Sequence, residues 1–410
     1  MTALTLREFP ACRHERGWCD RCRPEVGLTP SQAAALAASD LVAVTPTLSP
    51  GRFALAANKK VGAVTIGDLH VLVEPKVPVD RLLWLMGYVH DPKFWTTHTA
   101  ALDSHAELIP ALAEGFTRAT QRAIETGLLC GYRTVEESGA VLRGRLRAGE
   151  QMGRRFGLAL PVEVRYDEYS ADIAENQLLL AATLTLLRMP RIPQRLRARL
   201  LGLRRALGEI TPPVPGTEQP RWHPTRLNTR YHWALQLAEL VLANRSVQQR
   251  IGDVTVSGFV VDMWSVYEDF LMTALGEEIA ERGGRGARPR RPEPDRFLDH
   301  GCTVTIEPDL TWYDAEGRPV SVVDAKYKTA HSGVPTADIY QLVAYCTALG
   351  LSHGHLVYAQ GETAPATVQV VGADITIVCH AVDLTLPPDR LLASITGLAD
   401  RIVERTAGPV

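Results

Sequence analysis

The sequence has no apolar run long enough to cross a bilayer. Its longest apolar stretches, around Leu82–Met86 and Ala234–Leu242, are short or broken by polar residues, whereas a spanning helix needs about 20 apolar residues. No basic segment followed by an apolar stretch opens the chain, so the expectation is a protein without a secretory leader, cytoplasmic and away from membranes. Cysteine is scarce and odd in number, seven in 410 residues, which excludes a fully paired disulfide scaffold. Neither sign of charge dominates: 44 Lys and Arg stand against 46 Asp and Glu, a formal net charge of -2. A globally polycationic nucleic-acid binder is therefore excluded, and only local basic patches remain open. The low-hydrophobicity, high-charge composition of a disordered chain is missing too, since 46% of the residues are apolar. There is no internal repeat, and at roughly 150 residues per domain the length suggests two or three domains.

What is present falls into three segments. Residues 1–105 read as a β-rich domain: Val61–Ile66, a Gly67-Asp68 turn and the alternating Leu69–Glu74 form a hairpin. Leu82–Tyr88 is a short helix, and residues 91–101 show no periodic element. Residues 106–250 read as mainly helical and packed on the last segment, with Asp172 and Glu175 as a capping box before the helix Leu178–Leu187 and further helices near Gln194–Leu207 and Tyr231–Ala243. Residues 251–410 alternate: a helix near Val266–Ala280, strands Thr303–Trp312 and Val320–Tyr327, a helix Ile339–Leu349, strands near His355–Tyr358 and Ile375–Cys379, and a closing helix Arg390–Glu404. A mixed sheet flanked by helices buries these faces most economically. The expected class is α/β, α+β overall.

The chemistry concentrates in the last segment. A period of two along Val304–Leu310 sets Glu307 and Asp309 on one face, and Pro308 interrupts the ladder beside Asp309. On the next strand Asp324 and Lys326 share a face, and pairing the two strands brings Asp309 close to Asp324. Converging carboxylates repel unless a cation sits between them, and hard oxygen ligands suit Mg²⁺ or Mn²⁺. Lys326 is placed to serve an attacking water and offset phosphate charge, which is phosphodiester hydrolysis. Solvated Asp and Lys pairs on a half-exposed sheet are the alternative, and the apolar run Val320–Val323, which implies a covered central strand, counts against it. Glu268 and Gln341 face either this site or their own helix ends, because Ser265-x-x-Glu268 and Asp338-x-x-Gln341 both fit capping boxes.

Two clusters lie apart from that core. Arg282, Arg285, Arg288, Arg290 and Arg291, spaced by glycine and proline, form a cationic loop that suits either DNA phosphates or plain solvation. At the N-terminal end Cys12, His14, Cys19 and Cys22 offer four ligands for a structural Zn²⁺. Only the Cys-x2-Cys half has the usual spacing, so free thiols stay open as the alternative.

The motif Pro308-Asp309, fourteen residues, then Asp324-Ala325-Lys326-Tyr327-Lys328, with Tyr267-Glu268-Asp269-Phe270 before it and Gln341-Leu342-Val343-Ala344-Tyr345 after it, resembles the McrC family. These are the nuclease subunits of McrBC-type modified-cytosine restriction systems, within the PD-(D/E)xK nuclease superfamily. The likeness extends to Val61-Gly62, Ile66-Gly67 and Glu74-Pro75-Lys76 in the first segment. In the middle it takes in Gly127–Arg133, Leu142–Leu146, Tyr166–Tyr169, Asp172-Ile173, Glu175-Asn176, Arg226-Leu227-Asn228 and Tyr231. It implies a restriction-endonuclease-like core in which Asp309, Asp324 and Glu268 serve the Mg²⁺, Lys326 serves the water and Gln341 supports them. It also implies a DNA substrate bearing modified cytosine and a separate McrB-like AAA+ GTPase or NTPase ring, hexameric, whose hydrolysis the N-terminal domain stimulates. Arg143 and Arg145 are candidate contacts to it, with surface ion pairing as their alternative. The absence of a Gly-x-x-x-x-Gly-Lys-Ser/Thr loop agrees with a motor on another chain. A nuclease of DNA repair or end processing, or a non-catalytic regulator of an AAA+ ring, are the rival readings.

Overall fold

The computed structural model describes residues 2–8, 23–90, 92–97, 108–154, 160–189, 192–214, 219–243, 249–251, 254–287, 297–329, 335–360 and 366–406. The cysteine and histidine cluster at positions 12–22, and Arg288, Arg290 and Arg291, lie outside them. The chain divides into two compact units, one made of residues 1–106 and 247–410, the other of residues 107–246.

In the first unit the hairpin Lys60–Ile66 and Leu69–Glu74 forms, with Ile66 opposite Leu69. Thr2–Arg7 joins it in parallel along Leu69–Glu74. On its other side Val254–Asp262 pairs antiparallel with Lys60–Ile66, and Gln249–Ile251 completes a five-stranded sheet. The anticipated boundary at 250 assigns Val254–Asp262 to the last segment, whereas hydrogen bonding places this strand in the N-terminal sheet. The first and last segments therefore share one sheet. Gly62 sits at the crossing with φ of 128°, where a Cβ would meet the Phe259 carbonyl oxygen at 2.1 Å; only glycine fits so close a backbone approach. Beside this sheet, Glu25–Gly27, Arg52–Ala57 and Val42–Pro46 form a three-stranded one. Residues 91–101, which lack periodicity, include a short helix, Pro92–Thr97.

Val254–Asp262 runs straight into the helix Met263–Glu281, whose N-cap is Asp262, accepting from the backbone N–H groups of Trp264 and Ser265. A six-stranded mixed sheet follows in the order Arg285–Ala287, Leu310–Tyr313, Pro319–Thr329, His353–Gln360, Thr376–Ala381, Ala366–Gln369. Pro319–Thr329 is an interior strand, antiparallel to Leu310–Tyr313 and parallel to His353–Gln360. Its Val322 side is covered by the helix Thr336–Leu349 through Leu342, Tyr345 and Cys346. On the opposite side Tyr327 packs at a tilt against Tyr267 of Met263–Glu281, ring centroids 5.9 Å apart. The expected strand Thr303–Trp312 shrinks to Leu310–Tyr313, with Thr305 making one isolated bridge to Phe297. Pro308 has no N–H to donate and ends the ladder where Asp309 begins. Arg285–Ala287, expected within a loop, is an edge strand.

The second unit holds the helices Leu108–Ile124, Ala174–Arg188, Gln194–Ala206 and His232–Ala243, with a three-stranded sheet of Gly131–Gly139, Val162–Ser170 and Arg145–Leu146 that helical patterning did not anticipate. Its polar centre is Asp172, which accepts from Arg133 Nη1 at 2.5 Å, from Thr211 N at 3.0 Å and Oγ1 at 2.8 Å, and from Gln177 Nε2 at 2.9 Å. Asp172 therefore caps nothing: the N-cap of Ala174–Arg188 is Ile173, with no side-chain hydrogen bond. Glu175 accepts instead from Asn228 Nδ2 at 3.0 Å. Asn176, fully buried, donates to Leu129 O and Ala171 O, while the Tyr231 hydroxyl accepts from Leu129 N at 2.9 Å. The segments around Leu129, Asp172 and Asn228 thus knit into one network. Among the described residues no helix is long and apolar enough to cross a membrane.

Candidate active site

Three sequence-distant elements converge beside the interior strand. Register pairs Leu310 with Val323, so Asp309, one residue earlier, arrives next to Asp324. Its carboxylate accepts from the Ala325 backbone N–H at 2.6 Å. Asp324 and Lys326, alternate residues of one strand face, are 2% and 5% exposed, and Lys326 Nζ lies 2.5 Å from Asp324 Oδ2. Lys326 Nζ donates to Gln341 Oε1 at 3.0 Å, Gln341 Nε2 to the Tyr345 hydroxyl at 2.8 Å, and that hydroxyl to Glu307 O at 3.2 Å. Asp338 is the partner of Tyr358, whose hydroxyl donates to Oδ2 at 2.9 Å. The N-cap of Thr336–Leu349 is Pro335, so the capping alternative for Gln341 is overturned and its amide faces the lysine.

Glu268 loses its capping role for the same kind of reason. Asp262 already caps that helix, and Glu268 Oε2 accepts from Trp264 Nε1 at 2.8 Å. Its charge is felt by both aspartates.

Burial is the largest influence on the aspartates and disfavours their charged forms. For Asp309 burial and the neighbouring Asp324 push the carboxyl up to about 7, against the opposing pull of the Ala325 N–H. Asp324 is raised as well, by burial first, with Lys326 holding it down and Asp338 and Glu268 pushing it further up. Such buried, mutually repelling carboxylates concentrate at functional sites.

Among the described residues no three His, Cys, Asp or Glu side chains gather as a ready metal cage. The donor set nonetheless fits a hard divalent ion. Asp309 spends one oxygen on a backbone N–H and Asp324 has one on Lys326, which leaves unspent oxygens on two carboxylates that a cation would keep ionised. Mg²⁺ characteristically takes one or two protein carboxylates and completes its shell with water and substrate phosphate oxygens.

Of the arginine cluster, Arg282 is committed elsewhere, pairing with Glu278 at 2.5 Å and Asp400 at 2.6 Å. Arg285 lies over the Tyr313 ring at 4.9 Å. Patterning gave no sign of Trp264, whose ring carries Lys59 Nζ at 4.8 Å and Lys326 Nζ at 5.4 Å from its centroid.

No curated protein matches the chain. Among solved structures it is similar to a refined half-complex from a tetradecameric assembly of Thermococcus gammatolerans McrB AAA+ hexamers with bound McrC. The TM-score is 0.57 at 17% identity, over 98% of this chain and all (100%) of that one, a likeness of fold. A cryo-EM structure of the Thermococcus gammatolerans McrBC complex aligns at 21% identity over 68% of this chain and 88% of its own, with TM-score 0.38. The family model described as McrBC 5-methylcytosine restriction system component matches residues 55–359, about three quarters of the sequence and both compact units. The chain belongs to the McrBC 5-methylcytosine restriction system component family.

Proposed function

We propose that this chain is the DNA-cutting subunit of its restriction system, a PD-(D/E)xK endonuclease that works with a separate McrB-like AAA+ NTPase ring and acts on DNA containing modified cytosine. The observation that carries the reading is the half-buried Asp309 set against the buried Asp324, two charge-frustrated aspartates, with Lys326 beside Asp324 on the interior strand. Asp309 and Asp324 would hold Mg²⁺ or Mn²⁺, and such an ion supplies Lewis-acid polarisation of a phosphate oxygen and a more acidic water. Lys326, fixed between Asp324 and Gln341, presents its ammonium to the attacking water and to charge developing on the phosphate. Gln341, itself held by Tyr345, accepts from that ammonium and fixes its direction. Glu268, oriented by Trp264, is a supporting carboxylate at the same site.

The test is cleavage of methylated and unmethylated DNA by the purified chain with Mg²⁺, nucleotide and the AAA+ partner encoded beside it. Asp309→Asn and Lys326→Ala are expected each to lower cleavage by at least about 100-fold, the scale of losing a transition-state charge contact, while partner binding persists. Wild-type cleavage rates in both variants would sink the assignment.

A further inference from the structure

Lys59 is an exposed residue in the turn between Arg52–Ala57 and Lys60–Ile66, far in sequence from the site. Two contacts bring it there. Its carbonyl accepts from Met263 N at 3.3 Å, at the start of the helix that carries Trp264 and Glu268. Its ammonium lies 4.8 Å from the centroid of the Trp264 ring, the same ring that Lys326 approaches at 5.4 Å. The indole N–H points to Glu268, so one aromatic side chain organises two cations and one carboxylate.

The neighbouring Lys60 is neutralised by Asp40 at 2.7 Å. No ion pair is formed by Lys59 among the described residues; its charge rests on the ring face alone. A cation–π contact at an exposed site is weak, which fixes the ammonium's place without quenching its charge. The site itself is rich in carboxylate, with Asp309, Asp324 and Glu268 against the single Lys326, so a polyanionic substrate needs compensating cations at its edge.

We propose that Lys59 binds a DNA backbone phosphate beside the scissile one, so that the N-terminal sheet contributes a substrate contact to the nuclease site through Trp264. This rests on the nuclease reading above. The ligand is a phosphodiester oxygen, contacted by a point charge without base reading, so the contact is independent of sequence and methylation.

The test measures binding of a methylated duplex to the full chain in its partner complex, over a range of salt, in an Asp324→Asn background that keeps the duplex intact. Lys59→Met keeps the aliphatic packing and removes the charge. It is expected to weaken binding about tenfold on any duplex and to reduce the salt slope by about one, the signature of one lost phosphate contact. Lys59→Arg should restore the slope, and Lys60→Met should leave it unchanged. An unaltered slope in Lys59→Met overturns the proposal, as does an effect confined to thermal stability. If the wild-type chain fails to cleave with any divalent ion, the nuclease reading falls while the slope still decides whether Lys59 touches DNA.

Discussion

Each compact unit sets a carboxylate in a polar network, Asp172 in one and Asp309 in the other, and the two are electrostatic opposites. Burial pushes the Asp172 carboxyl up, but Gln177, Thr211 and Arg133 more than reverse this and hold it below the usual carboxylate range. Among the described residues Asp309 has a single donor, the Ala325 N–H, and burial first, then the facing Asp324, raise it to about 7. A carboxylate supplied with all its donors locks a fold, whereas one left short of them is held ready for something absent from the chain itself. The segments around both aspartates share in the family likeness, and only the hydrogen-bond inventory separates lock from site.

The largest expected effect breaks the comparison directly. Asp172→Ala takes the acceptor from Thr211 and Gln177 and leaves Arg133, partly exposed, with Glu168 at 3.6 Å, and should destabilise the second unit by about 3 kcal/mol. Asp309→Asn removes a repelled charge, keeps an oxygen for the Ala325 N–H, and should leave metal-free stability unchanged or higher even though cleavage is lost. Denaturant unfolding of both variants, with hydrogen exchange at the Leu129 and Thr211 amides as the local readout, checks this. Equal destabilisation by the two would erase the distinction.

Much of the first unit was legible in the sequence because it is local. Alternation across Val61–Glu74 with a Gly67-Asp68 turn defines its own hairpin. Asp309, Asp324 and Lys326 could be brought together because a short turn at Asp314–Gly317 joins their strands. Pairing of Val254–Asp262 with Lys60–Ile66 was not legible, since periodicity describes a strand's faces and not its distant partner. That pairing delivers Lys59 to Trp264, so the aromatic part of the site stayed hidden. The capping boxes at Asp172, Ser265 and Asp338 failed because matching residue types at matching spacing do not show where the helix starts. Asp262 and Pro335 start two of those helices, and Asp172 finds better donors than a helix end.

The buried carboxyl of Glu8 offers a smaller, pH-resolved test. Glu8, 1% exposed, accepts from the Tyr327 hydroxyl at 3.0 Å and the Lys76 N–H at 3.3 Å. Burial nevertheless raises it to about 7, with those hydrogen bonds opposing. The folded chain therefore binds this proton more tightly than the unfolded one. The contribution of Glu8 to stability is full at low pH, falls as pH rises from about 4.5 to about 7, and is level above. Glu8→Gln carries no charge to bury, so its advantage should be absent near pH 4 and reach about 2–3 kcal/mol above pH 7. Urea midpoints across that range measure it, and a constant offset at every pH counts against the buried-charge account. Because Tyr327 follows Lys326 on the strand, this strain sits directly behind the site.

The smallest expected effect on stability sharpens what satisfied means at the site. Trp264→Phe preserves an aromatic face for Lys59 and Lys326 but deletes the indole N–H that donates to Glu268. Glu268 is only half-buried, so water replaces much of the lost bond and the cost should be about 1 kcal/mol. Cleavage should fall further, about tenfold, because a supporting carboxylate free to turn no longer stands in one place when substrate arrives. Thermal unfolding and single-turnover cleavage of the same preparation separate the two effects. If the rate falls only as far as stability does, Trp264 merely packs the helix. A rate loss in an otherwise stable protein makes it a residue that positions the chemistry.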